Sequence, residues 1–104
     1  MAMLEQPVLD DLLRLIYERL AASLEQGWGG PFAAAVARDG VLLGVGTNTV
    51  LRDRDASRHG EINALAAAGK AAGGVPMTDV ELLTSHFPCL MCYHALKWAG
   101  VRRF

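Results

Sequence analysis

Cys89 and Cys92 stand in the run Pro88-Cys89-Leu90-Met91-Cys92 and are the only thiols in the chain. A Cys-x-x-Cys pair at a helix start lies near the positive end of the helix dipole, which lowers thiol pKa and suits metal binding or dithiol redox chemistry; plain packing is a third use. A disulfide between them would close a tiny loop and stabilise little. Upstream, His59 and Glu61 add an imidazole and a carboxylate. Two thiolates and one imidazole make a three-ligand zinc site with an open fourth position, the arrangement of catalytic rather than structural zinc. A carboxylate two residues beyond the histidine, itself no ligand, is placed to take a proton from an activated water and hand it on.

Elements must bring these four side chains together. From Pro7 to about Gln26, apolar Val8, Leu12, Leu15, Ile16, Leu20 and Leu24 recur at helical spacing, and the glycines around Trp28 stop the helix. Phe32 to Ala37 and Val41 to Gly46 are short apolar runs joined by Arg38-Asp39-Gly40, a hairpin signal. A polar run, Leu51 to Arg58, reads as a loop. The alanine-rich segment from His59 to Gly74 reads as a second helix, and Val80 to Thr84 as a third strand. A third helix runs from Pro88 to Gly100, and Val101 to Phe104 offers a fourth strand. This alternation predicts a three-layer α/β/α domain with a mixed sheet, spanning residues 1–104 as one unit.

Composition narrows the function classes. Lys and Arg number 10 against 11 Asp and Glu, so charge gives no case for a polyanionic partner, and nucleic acid is not favoured. Glu5, Asp10, Asp11, Arg14, Glu18 and Arg19 interrupt the first helix, which therefore reads as neither signal peptide nor membrane span. Two cysteines without a disulfide framework fit a reducing, cytoplasmic setting.

The ordered pair His59-Gly60-Glu61 and Pro88-Cys89-x-x-Cys92 follows the H-x-E and P-C-x-x-C signature of zinc deaminases. With the blocks GGPFAAAVARDG, GTNTV, RHGEINAL and LLTSHFPCLMCYHALKWAG in order, the chain resembles the cytidine deaminase-like superfamily, in its guanine deaminase and nucleoside deaminase branch. Kinship to yeast-type cytosine deaminase and tRNA adenosine deaminases is also visible, and the likeness covers about Gly29 to Val101. The resemblance implies zinc held by His59, Cys89 and Cys92, and hydrolytic loss of ammonia from a free nucleobase or nucleoside through attack of zinc hydroxide. It implies Glu61 as the catalytic proton carrier, Asn48 hydrogen-bonded to the base, Phe32 lining the pocket, the Gly60 backbone close to the ring, and His59 both ligating and stacking. Alternatives are a cytosine-type or nucleic-acid deaminase, or a shortened zinc-binding fold without full activity.

Each of these residues also has an ordinary use. Asn48 can cap a turn, Phe32 can be core, and Arg52, Arg54 and Arg58 alternate with Asp53 and Asp55 as in a solvated loop. His86 suits a substrate contact, a competing ligand or a polar strand end, whereas His94 suits the surface. Trp28 suits a pocket roof or an anchor for its glycine loop. The branch commonly has alanine at Gly60 and glutamate or serine at Phe87, and its members continue past the point matching Phe104 with further strands and helices. A sheet edge at Phe104 would leave apolar faces open, so homo-oligomerisation is expected.

Overall fold

The computed structural model describes residues 4–104. Residues 1–3 of the expected 1–104 unit lie outside the described residues. Helix α1, Gln6–Gln26, carries Pro7 in its first turn and ends at Gly27, whose left-handed φ of 68° lets its N–H reach the Leu24 carbonyl. Strands β1, Ala33–Arg38, and β2, Val41–Thr47, form the predicted hairpin. Asp39 and Gly40 both take positive φ, 49° and 79°, the conformation of a two-residue turn matched to strand twist.

A single turn of helix, α2 (Val50–Asp53), begins one residue before the segment read as loop and takes up its first three residues. Helix α3 is Gly60–Ala72, strand β3 is Glu81–Thr84 and helix α4 is Leu90–Ala99. The sheet order is β2-β1-β3, with β1 antiparallel to both neighbours. The parallel component of the expected mixed sheet is one bridge, Glu81 to Arg103, with the Leu82 N–H donating to the Arg103 carbonyl at 3.0 Å. Gly100, at φ 81°, ends α4 and turns the chain there, so Val101 to Phe104 supplies a bridge rather than a strand.

The three layers follow from the side chains of β1. Ala33 and Ala35 meet Ile16 of α1, with Leu13, Leu20 and Leu83 around them. Ala34 and Val36 face the other way, into a core with Ala64, Leu65 and Ala68 of α3, Leu96 and Ala99 of α4, and Met77, Val80 and Leu82. Strand alternation sends successive residues to opposite faces, and alanines let helices approach from both.

Glycines set how closely α3 approaches the sheet. A Cβ on Gly44 would lie 2.8 Å from the Ala64 carbonyl oxygen, and one on Gly46 would lie 2.5 Å from that of Gly60. Only bare backbone permits such contact, so the first turns of α3 rest directly on the end of β2. Among the described residues no helix is long and apolar enough to cross a membrane.

Candidate metal centre and adjoining cavity

Two helix starts meet at one point. His59 is the N-cap residue of α3 and Cys89 that of α4, and Cys92 lies in the first turn of α4. Nδ1 of His59 stands 3.6 Å from Sγ of Cys89 and 3.6 Å from Sγ of Cys92, and the three atoms lie within 4.8 Å of one another. A zinc ion with sulfur at about 2.3 Å and nitrogen at about 2.05 Å, in tetrahedral geometry, sets each S–N edge at about 3.6 Å. The residues therefore fit the ion without rearrangement. A single imidazole lone pair, by contrast, cannot serve two thiol donors at once.

Electrostatics point the same way. Burial first, then the neighbouring Glu61 carboxylate, pushes the Cys92 thiol far above its usual range. A divalent cation reverses that preference by stabilising the thiolate directly. Cys89 and Cys92 are both free thiols, the first exposed and the second buried.

Glu61 occupies the first turn of α3 with no exposed surface, and neither carboxylate oxygen has a hydrogen-bond partner. Leaving a buried carboxylate in that condition costs on the order of several kcal/mol, which packing alone has no reason to retain. His86 Nε2 stands 3.4 Å from Oε2.

Beside the His59, Cys89 and Cys92 cluster lies a cavity of about 230 Å³ lined by Phe32, Asn48, His59, Glu61, His86 and Cys89. Drug-sized ligands occupy clefts of about 300–1,000 Å³, so this one suits a small heterocycle. Asn48 is buried; its backbone N–H donates to the Phe32 carbonyl at 2.9 Å and its Oδ1 accepts from the Val50 N–H at 3.1 Å. The turn-capping use and the cavity position thus coexist. Gly60 packs instead against the Phe32 and Ala33 backbone, where a Cβ would stand 3.1 Å from the Ala33 Cα. It thereby fixes the helix start.

The polar loop holds β2 and α3 in register. Asn63 Nδ2 donates to the Thr47 carbonyl and to Thr49 Oγ1, each at 2.8 Å, and the Thr49 N–H donates to the Arg58 carbonyl at 2.9 Å. Asp55 accepts from the Ser57 hydroxyl and backbone N–H, which holds its carboxyl below the usual range, and Arg58 pairs with it at 3.2 Å. Arg52 does the same for Asp53 and stacks on Trp28 at 4.7 Å. These ion pairs tie Arg52 and Arg58 to the α2 turn and the loop that follows it. His94 is exposed and edge-on to Tyr93, at 5.7 Å between ring centroids.

His86 is the site residue that sequence reasoning weighed without choosing. Its position on the cavity wall depends on the pairing of β1 with β3, which no local pattern discloses.

Comparison with known proteins agrees with this geometry. Residues 10–104 match the family described as the cytidine and deoxycytidylate deaminase zinc-binding region. Guanine deaminase of Bacillus subtilis is 40% identical over 73 residues, covering 70% of this chain and 47% of that protein. The X-ray structure of guanine deaminase from Bacillus subtilis superposes with a TM-score of 0.85 at 32% identity, covering 90% of this chain and 60% of that one. Cytosine deaminase of Candida albicans is 30% identical over 92 residues, covering 88% of this chain and 60% of that protein. The chain spans about half the length of the guanine deaminase it matches.

Proposed function

The chain belongs to the cytidine and deoxycytidylate deaminase zinc-binding family, and on that premise we propose that it is a zinc-dependent hydrolytic deaminase of a free nucleobase or nucleoside, nearest to guanine deaminase. The observation that carries the reading is a buried, unpartnered Glu61 beside a ligand triad of zinc dimensions, in a cavity of heterocycle size. His59, Cys89 and Cys92 would hold the ion, which when bound supplies the Lewis acidity that makes water a nucleophile near neutral pH.

The protein's own groups supply the rest. Glu61 is the proton carrier: buried and with no hydrogen bond of its own, the carboxylate would take a proton from the attacking water, pass it to a ring nitrogen, then take the second from the added hydroxyl and pass it to the departing amine. Asn48, with Oδ1 engaged by the Val50 N–H, has its amide NH2 to offer a ring acceptor. Phe32 and the imidazole of His59 form walls against which a flat ring can lie.

The similarity of this chain to guanine deaminase favours that base over the cytosine-type alternative, and the balanced charge disfavours a nucleic-acid substrate. A reducing, cytoplasmic compartment would keep both cysteines available to the metal. Exposed Phe87, Leu90 and Trp98 support self-association as a homo-oligomer, for which a single monomeric species in sedimentation would be contrary evidence.

The deciding experiment is ammonia release from guanine, cytosine, adenine and their nucleosides by zinc-loaded protein. Turnover of a base, lost in Glu61→Ala, is the expected result. Turnover unchanged in that variant would overturn the mechanism, and reversible dithiol oxidation without bound zinc would favour the redox use of the cysteines.

A further inference from the structure

Glu61 has to hold one rotamer inside a cavity where it has no hydrogen bond. A carboxylate that carries protons needs one oxygen restrained and the other available, because a freely turning group spends little time in the productive geometry. The group that restrains it is not supplied by α3. It comes from the chain just after β3.

Ala33 donates its backbone N–H to Ser85 Oγ at 3.2 Å, and Ser85 Oγ lies 3.3 Å from His86 Nδ1. The ring of His86 also rests against Phe32, with centroids 4.3 Å apart. Its Nε2 then faces Glu61 Oε2 at 3.4 Å. Tautomer logic fixes the rest. A carboxylate oxygen is an acceptor, so Nε2 carries the hydrogen; Nδ1 in the neutral ring is then an acceptor, and the Ser85 hydroxyl is its donor. Ser85 in turn accepts from Ala33, whose position is set by the register of β1 on β3. Ala33 N–H, Ser85 O–H and His86 Nε2–H thus form a chain in which each donor faces an acceptor, the last step being a 3.4 Å contact with Glu61 rather than a formed hydrogen bond.

We propose that His86 is the positioning residue for Glu61, held as the Nε2–H tautomer by Ser85 so that its ring fixes the orientation of the buried carboxylate in the cavity. The inference rests on the deaminase reading for its effect on turnover, but not for its geometry. Phe32 contributes by holding the imidazole plane, which gives this aromatic a role beyond that of a pocket wall.

Two measurements on the zinc-loaded chain test it. The first is a two-bond nitrogen–proton correlation on histidine-labelled protein, assigned by loss of the His86 signals in His86→Gln. The Nε2–H pattern is expected at neutral pH, with tautomer averaging in Ser85→Ala; an Nδ1–H ring would overturn the proposal. The second is the kinetics of His86→Leu and His86→Gln. His86→Leu is expected to lower kcat about 10–100-fold, the range for losing a group that orients a site residue, with KM and zinc content unchanged. His86→Gln, whose amide can present a donor at the same place, restores most of kcat. Equal loss in both variants, loss of zinc, or a change confined to KM would overturn the positioning role. If the wild-type protein turns over no base, the proposed function fails, and the tautomer measurement still decides the arrangement of His86 and Glu61.

Discussion

The starts of α3 and α4 contribute to one centre but are built differently. At α3, Gly60 and Glu61 are buried against β1, and Gly46 leaves no room for a side chain under the helix. At α4, Cys92 is buried while Cys89 and Met91 are exposed and Leu90 keeps 78% of its surface open. The α3 start is shaped by the core, which fixes His59 and Glu61. The α4 start has less protein around it, so an ion held by Cys89 and Cys92 would tie it to the rest.

That difference can be broken from either side. On the rigid side the largest effect belongs to Glu61→Gln: turnover should fall about 10²–10⁴-fold while zinc content, read by metal analysis, stays at the wild-type level. On the metal-dependent side, Cys89→Ser or Cys92→Ser should release zinc. Chelation of the wild-type protein should speed hydrogen exchange at Leu90 to Tyr93 far more than at Gly60 to Asn63. Equal acceleration at both helix starts would erase the distinction.

Core damage should act through α3. Gly46→Val puts a side chain where the Gly60 carbonyl stands, 2.5 Å from the first added carbon. The expected cost is about 1–3 kcal/mol. In a domain of this size, thermal unfolding reads each kcal/mol as roughly 4–8 °C. Loss of stability without loss of zinc affinity would place the damage in the core rather than at the ligands.

Two pH effects run in opposite directions. In metal-free protein the Cys92 thiol is held up by burial and by Glu61, so the folded state keeps a proton that the unfolded chain gives up above the ordinary thiol value of 9.0. Stability should be insensitive to Cys92 below that pH and decline above it, a decline that zinc loading removes. Asp53 and Asp55 are depressed by Arg52 and Ser57 respectively, so their contribution is present above 3.8 and is lost as the pH falls below it. Both carboxylates lie at the surface, with 33% and 39% of their side-chain area open to screening by water, which makes this the smallest of the effects.

Much of this was legible in the chain. Asp39-Gly40 specified the hairpin turn, Pro7 and Gly27 bounded α1, and the ordered His-x-Glu and Pro-Cys-x-x-Cys pair specified which helix starts must meet. Long-range register was not legible. Whether Ser85 faces Ala33, and hence whether His86 reaches Glu61, depends on which residues of β1 and β3 stand opposite, and neither strand records that alone. Nor was it legible that α3 would rest on the glycines of β2. The final residues have strand-like composition, but the αL turn at Gly100 leaves only Arg103 paired with β3.

X-ray absorption at the zinc edge of the loaded protein tests the centre most directly. The account predicts about two sulfurs at about 2.3 Å, one histidine nitrogen at about 2.0–2.1 Å and one further light atom at the open position. A shell of four sulfurs, or one of oxygen and nitrogen alone, would contradict it.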